Sequence, residues 1–382
     1  MQKLIYLDYA AATPVDPVVV SAMQPYLTTA FYNPSATYLA AHKIRQDLET
    51  ARAQVAHWLG ARPAEIVWTA GGTEANNLAI RGVMEKNPDS NLVVSAIEHE
   101  SVLVTARQYD CREAPVTADG IVDVAQLAQL VDDHTVLVSV MYANNEVGTI
   151  QPLRDIAAAV ERIRAHRRAQ GNKRPLYLHT DAAQAGAYLD LHVARLGVDL
   201  LTLNAGKLYG PKQTGCLYVS GKVLLAPQIL GGGQERGLRS GTENVAGVIG
   251  FAAALQLVQQ RRHEEVARLR HLQERFFTQL EQAIPSVTVN GSRKHRLPNN
   301  VHVTFPGQDN ERLIFELDSQ GILCAAGSAC SADSGEPSHV LRAMSLSDAD
   351  ARASLRFTMG LQTTEEDIRR AVTALAELMK AK

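Results

Sequence analysis

From about residue 40 to residue 255 the chain alternates strand-like and helix-like segments, and that alternation leaves few folds open. Apolar runs at Glu65–Thr69, Leu92–Ala96, Val136–Met141, Leu176–Thr180, Asp199–Asn204 and Gly215–Val219 read as buried strands. Segments with helical spacing flank them; Ile44, Leu48, Ala51, Val55 and Leu59 form one stripe, with Gly60 as its C-terminal cap. Strands separated by helices pair in parallel, because each crossover returns the chain to the same edge. The expectation is an α/β protein with a mostly parallel central sheet. Gln256–Ile284 reads as a long, charged amphipathic helix leading to a second, smaller α+β unit. In that unit Val301–Phe305, Glu311–Ser319, Leu323–Ala325, Glu336–Met344, Ser354–Thr358 and Thr364–Lys380 mix strands and helices, and Thr363 with Glu366 suggests a capping box for the last helix. At 382 residues, two domains are the natural prior.

In a parallel sheet the strand carboxyl ends line the ligand crevice, so the residues that follow each run carry the chemistry. One run ends at Asp181, and Lys207 stands just past the end of the next. A carboxylate that holds a pyridinium nitrogen and a lysine that forms a Schiff base are what pyridoxal phosphate requires. Gly72 and Thr73, after another strand and at the start of a helix, suit a phosphate. His99 follows a fourth run, where its ring can stack on a pyridine face or move protons. Asn145 closes a fifth and can hydrogen-bond a phenolic oxygen, a role Gln184 can share. The glycine-dense Gly231–Thr242, with Arg236 and Arg239, reads either as an anion-binding loop or as a surface connection. Cys330 lies among small polar residues in a loop, where it is either a reactive thiol or a bystander. Arg356, on an inward strand position, can clamp a carboxylate.

Composition removes other classes. Hydrophobic residues make up 46% and charged residues 20%, which suits a globular protein with a large interior. A formal net charge of −2 gives no general footprint for direct nucleic-acid binding. No apolar stretch approaches bilayer length, and the start resembles no secretory signal, so the cytoplasm is the expected compartment and no membrane partner is expected. Four cysteines build no disulfide framework, and no Cys/His cluster has zinc spacing, so no metal is expected; Cys111 and Cys216 read as packing residues.

The motifs in order resemble the class V aminotransferase-type cysteine desulfurases of the NifS/IscS-like group over nearly the whole chain. They run from Tyr6-Leu7-Asp8-Tyr9-Ala10-Ala11-Ala12-Thr13-Pro14 through Asn33-Pro34-Ser35, Gly72-Thr73-Glu74-Ala75-Asn76-Asn77, Glu98-His99 and Asn144-Asn145-Glu146-Val147-Gly148. Asp181-Ala182-Ala183-Gln184, Lys207-Leu208-Tyr209-Gly210-Pro211-Lys212, Arg239-Ser240-Gly241-Thr242, Gly327-Ser328-Ala329-Cys330 and Arg356-Phe357-Thr358-Met359-Gly360 complete the series. The resemblance implies a homodimer of the fold type I PLP-dependent transferases. Residues 14–255 would form a large cofactor domain, and residues 1–13 and 256–382 a small domain carrying the cysteine loop. It also implies roles: Lys207 as the Schiff-base lysine, Asp181 as pyridinium partner, His99 as the stacking and proton-moving residue, and Asn145 and Gln184 at the phenolic oxygen. Gly72 and Thr73 would take the phosphate with Thr242 of the other subunit, while Arg356 and Asn33 would hold the substrate. Cys330 would receive sulfur from L-cysteine as a persulfide, leaving L-alanine, and pass it to an acceptor protein for iron–sulfur cluster assembly or thiolation. A PLP lyase without an obligatory persulfide, such as one acting on selenocysteine, and a non-catalytic sulfur-relay scaffold are the alternatives.

This sequence departs from the group in three places. Asn204-Ala205-Gly206-Lys207 stands where the group reads Ser-Gly/Ala-His-Lys, so Asn204 and the Gly206 backbone would have to meet the phosphate. Tyr38 stands near the place of the histidine usual after Asn33-Pro34-Ser35. The sequence ends at Lys382, short of the tail with which housekeeping members meet an iron–sulfur scaffold, which leaves the acceptor open.

Overall fold

The structure, a computed structural model, describes residues 4–327 and 336–380. Strand β1 (Ile5–Tyr6) is followed by helices α1 (Pro17–Thr28) and α2 (Leu39–Leu59). Then β2 (Ile66–Thr69) leads into α3 (Gly72–Lys86), β3 (Asn91–Ser95) into α4 (Glu100–Ala106), β4 (Asp110–Ala114) into α5 (Val124–Leu130), and β5 (Thr135–Ser139) into α6 (Leu153–Ala169). After β6 (Tyr177–Asp181) come α7 (Val193–Leu196), β7 (Leu200–Asn204), β8 (Gly215–Val219) and the long α8 (Val245–Ala283). The chain continues through β9 (Thr288–Val289), β10 (Asn300–Thr304), α9 (Asn310–Ser319), β11 (Ile322–Leu323), α10 (His339–Ala343), α11 (Asp348–Ala351), β12 (Ser354–Thr358) and α12 (Glu365–Lys380).

Seven strands form one sheet in the order β2-β8-β7-β6-β5-β3-β4. From β7 to β4 every pair is parallel, whereas β8 runs antiparallel to both β7 and β2. Two reversals restore direction, so the carboxyl end of β2 emerges at the same edge as those of β3, β5, β6 and β7. All residues of β2, β3, β5, β6 and β8 are buried, which is why they read as largely apolar runs rather than alternating ones. Strand β4 escaped the sequence reading for the opposite reason. Its Asp-Cys-Arg-Glu-Ala lies at the sheet edge, mostly charged and with only Ala114 buried, as edge strands tend to be.

Helix α8 starts at Val245, eleven residues before the expected Gln256. Its first turns are apolar all round because they pack on α1 and α2, so no amphipathic stripe announces them. A Cβ on Gly250 would come within 2.6 Å of the Met23 sulfur, so glycine lets α8 approach α1. Further on, β10 pairs antiparallel with β9 and β12, and β1 pairs in parallel with β11. The capping box of α12 sits one residue later than expected. Thr364 N–H donates to Asp367 Oδ2 (2.9 Å) and Asp367 N–H to Thr364 Oγ1 (3.2 Å), while the Thr363 hydroxyl oxygen accepts from Gly360 N–H (2.9 Å).

Candidate active site

The loops at the carboxyl edge are tied to one another independently of any ligand. Glu98, fully buried after β3, accepts through Oε1 from the Met141 N–H beyond β5 (2.7 Å) and from the Ser95 hydroxyl. Burial, with a smaller push from the charge of Asp181, drives the Glu98 carboxyl up to about 8. Asn144 donates to the Ile97 carbonyl (3.0 Å), and its side-chain oxygen accepts from the N–H groups of Glu146 and Val147 (2.8 and 2.9 Å). The residue next to each tether, His99 after Glu98 and Asn145 after Asn144, is thereby presented to the space between the strands.

That space is a cavity of about 230 Å³. Its walls include His99, Asn145, Asp181, Gln184, Lys207 and Arg356, with Gly72, Thr73 and Asn204 at one end. Asp181 and Lys207 therefore face the same enclosure. A larger groove of about 670 Å³ adjoins it, shares Gly72, Thr73, Asn204 and Lys207, and adds Gly206.

The amino-terminal segment Asp8–Thr13 crosses this site and meets its side chains mainly through backbone carbonyls. Lys207 Nζ donates to the carbonyls of Ala10 (2.7 Å) and Ala11 (2.6 Å), and Gln184 donates to that of Ala10 (3.0 Å). The Thr13 hydroxyl donates to the Gly206 carbonyl (3.1 Å). Arg356, 1% exposed, is a buried partner rather than a surface pair: it donates to Asp8 Oδ1 (2.7 Å) and to the Asn145 carbonyl (2.9 Å). Sequence reasoning assigned no site role to Asp8–Thr13. A carbonyl carries no residue-type signature, although the run of three alanines leaves the carbonyls unscreened by long side chains.

Two further residues of the cavity wall went unassigned. Asn76 donates to Asp181 Oδ2 (2.7 Å) and to Ser101 Oγ (2.8 Å), and Ser101 in turn meets His99 Nδ1 (2.8 Å). For Asn76 a signal existed: it lies three and four residues after Thr73 and Gly72, hence on the same face of α3.

Of the expected residues, Asn33 and Thr242 line neither cavity of the protomer. Asn33 is exposed and forms a turn instead, its Oδ1 accepting from Ser35 N–H (2.9 Å). Thr242 is exposed on a loop fastened by Arg239 to Glu74 (2.9 Å) and by Glu235 to the buried Arg52 (2.8 Å). Cys330 lies outside the described residues. Burial pushes the thiols of Cys111 and Cys324 up to about 11 and about 12, and that of Cys216 higher still, so none of these three is a thiolate near neutral pH. Among the described residues no cluster of metal-ligating side chains occurs, and no helix is long and apolar enough to cross a membrane.

Pyridoxal phosphate fits this donor set. Helix α3 opens on both cavities after Gly71 (φ 143°), whose position has no side-chain cap, so its first-turn N–H groups are available to a phosphate. Asn204 Oδ1 accepts from Gly206 N–H (3.2 Å), and a Cβ built on Gly72 would touch the Asn204 side chain at 3.4 Å, so Asn204 closes that cradle where the group carries a serine. A carboxylate and a primary amine stand further in.

Comparison with known proteins agrees. The Aminotransferase class-V family model matches residues 5–371. A protein named cysteine desulfurase IscS from Dictyoglomus turgidum is 38% identical over 387 residues, spanning 100% of this chain and 95% of its own. A putative cysteine desulfurase IscS 1 from Bacillus subtilis is 38% identical, covering 98% of each. Among solved structures, a NifS-like protein superposes with a TM-score of 0.90 at 30% identity, over 99% of this chain and 100% of the other. SspA in complex with cysteine gives 0.80 at 34%, over 93% and 98%. A match that begins inside β1, runs into α12 and takes in every wall of the cavity makes this chain a member of the aminotransferase class-V family.

Proposed function

We propose that the chain is a pyridoxal-phosphate-dependent cysteine desulfurase that converts L-cysteine to L-alanine and holds the sulfur as a persulfide on Cys330. The observation that carries this reading is the sharing of one cavity by Asp181, Lys207 and Arg356. Names of full-length relatives and a neighbour complexed with cysteine support the substrate.

Bound in the cavity, the cofactor supplies a carbonyl for an amine and an electron sink for the substrate α-carbon. Gly72, Thr73, Asn204 and the Gly206 backbone would hold the phosphate, Asp181 would pair with the ring nitrogen, and His99 would stack on the ring and move protons. Asn145 and Gln184 serve the phenolic oxygen. Arg356 receives the substrate carboxylate, and the Lys207 amine takes the α-proton. The Cys330 thiolate attacks the substrate sulfur; the carbon–sulfur bond breaks as the sulfur–sulfur bond forms, and the carbon is then protonated to give alanine. Cys330 is the fifth residue after Ala325, whose backbone exchanges hydrogen bonds with that of Arg356 (2.6 and 3.1 Å). Chain length alone thus keeps Cys330 within about 17 Å of that point.

The working unit is a cytoplasmic homodimer in which Thr242 reaches the partner's phosphate. Exposed Leu27, Phe31, Leu39 and Leu230 support an interface of that kind. Residues 14–255 form the cofactor domain, and residues 1–13 with 256–382 the small one, in keeping with the pairing of β1 with β11. A sulfur-acceptor protein, for iron–sulfur assembly or thiolation, completes the pathway. Two variants test the proposal. Lys207→Ala should abolish the borohydride-reducible yellow chromophore, and Cys330→Ala should keep the chromophore but stop alanine formation from cysteine. Undiminished alanine from Cys330→Ala would sink the persulfide step.

A further inference from the structure

Asn76 and Ser101 stand on different helices, α3 and α4, and the proposed reaction uses neither. Asn76 is 1% exposed, with Nδ2 2.7 Å from Asp181 Oδ2 and 2.8 Å from Ser101 Oγ. A carboxylate offers only acceptors, so the amide nitrogen and not the amide oxygen must face Asp181. Both amide hydrogens are then engaged. Ser101 Oγ receives one of them and lies 2.8 Å from His99 Nδ1, a contact whose direction is set by the ring tautomer. The backbone N–H of Ser101 donates to the same ring nitrogen at 3.1 Å. A nitrogen that accepts from this N–H cannot carry a proton, so the Ser101 hydroxyl donates to it too and the neutral imidazole holds its hydrogen on Nε2. The same orientation leaves Asn76 Oδ1 buried without a donor among the described residues. Packing alone gives no reason to accept that loss, whereas the demands of Asp181 and Ser101 do.

We infer that Asn76 is a positioning residue: its single amide group holds Asp181 directly and, through Ser101, sets the tautomer and orientation of His99. One side chain thereby aligns the two groups between which the cofactor ring is proposed to lie. The assignment of Asp181 and His99 to that ring rests on the proposed function; the relay itself does not.

Nitrogen-15 NMR of the imidazole in the full-length chain, before and after addition of pyridoxal phosphate, separates the two. His99, assigned with His99→Gln, should show Nε2 protonated and Nδ1 bare in both states. Asn76→Ala, although its lost hydrogen bonds go to Asp181 and Ser101, should move the His99 Nδ1 resonance in the direction that Ser101→Ala moves it. The double variant should move it no further than Ser101→Ala alone, and Ser101→Thr, which keeps the hydroxyl, should restore the original position. Pyridoxal phosphate should dissociate from Asn76→Ala roughly ten times more readily, as expected for one lost hydrogen bond to a charged group. A proton on Nδ1, an unmoved resonance in a folded Asn76→Ala chain, or additive shifts in the double variant would overturn the relay. If Asn76→Ala does not fold, the Ser101→Ala and Ser101→Thr pair decides alone: no shift in the first, or no restoration in the second, overturns it. A chain with the expected resonances that binds no pyridoxal phosphate would overturn the functional reading and uphold the relay.

Discussion

Glu98 makes the stability of this fold depend on pH between its ordinary value and about 8, and Glu98→Gln isolates the effect. The carboxyl is fully buried, with Oε1 satisfied by Met141 N–H and the Ser95 hydroxyl and Oε2 without a partner among the described residues. Burial raises it from 4.5 to about 8, so the folded chain keeps a proton that the unfolded chain has released. Stability from this group is fully present below 4.5 and is lost as pH rises toward 8. At about 1.4 kcal/mol per pH unit, the whole loss is on the order of 5 kcal/mol, and about 1.4 kcal/mol of it has occurred by pH 5.5. Glutamine keeps the acceptor for Met141 and Ser95 but buries an N–H where Oε2 stood, a cost of about 1–3 kcal/mol at any pH. In urea unfolding at pH 5.5, Glu98→Gln should be as stable as the parent or less. At pH 8.5 it should be more stable, the difference between the two having moved by about 3–4 kcal/mol. The buried His179 and His302, pushed down to about 4 and about 3, cost stability only below their ordinary range and are common to both proteins. Parallel stability curves for the two proteins across this window would refute the reasoning.

Gly215 lies on β8 with its would-be Cβ 2.7 Å from the Gly71 carbonyl carbon, a backbone atom that cannot yield. Gly215→Ala should push the start of α3 outward and weaken pyridoxal phosphate binding by about tenfold in an absorbance titration, within the 1–3 kcal/mol typical of overpacking. Unchanged affinity would show that the cradle is not built on that contact. Asp8→Asn leaves the buried Arg356 guanidinium without its 2.7 Å charged partner. It should lower unfolding stability by about 3 kcal/mol while tightening the binding of a simple carboxylate, measured by calorimetry; weaker carboxylate binding would contradict the competition. Ser338 donates to Glu146 Oε2 (2.6 Å), and Glu146 Oε1 has no partner among the described residues. Ser338→Ala, which removes that donor from a buried carboxylate, should lower unfolding stability in urea by about 1–3 kcal/mol; unchanged stability would show that the bond contributes nothing.

Asp181, Lys207, His99 and Asn145 were legible because each follows a mostly apolar run, and a run of that kind marks a strand buried on both faces. Once such strands are parallel, their carboxyl ends converge, and the residue types at those ends name the chemistry. Where a role is carried by backbone, as in Ala10 and Ala11 toward Lys207, residue type says nothing. Where it depends on two helices meeting, as in Asn76 with Ser101, only three-dimensional packing can bring the partners together. Strand β4 and the first turns of α8 hid for a simpler reason: one is too polar for a strand signal and the other too uniformly apolar for a helical one.

The segment Asp8–Thr13 ties the two halves of the proposed reaction together. A nitrogen doubly bonded to carbon keeps at most one hydrogen, so Lys207, were it joined to the cofactor's carbonyl carbon, would keep at most one of its contacts to Ala10 and Ala11. A substrate carboxylate that seeks Arg356 meets Asp8 already there, so substrate binding must share or displace a contact with the same segment. Only Tyr9 separates Asp8 from Ala10. It is 4% exposed, with its ring 4.9 Å from that of Tyr6 and 6.2 Å from that of Tyr209. Tyr9 thus fastens the middle of the segment to the core. Such anchoring favours an exchange of partners by the Lys207 and Arg356 side chains with this backbone kept in place.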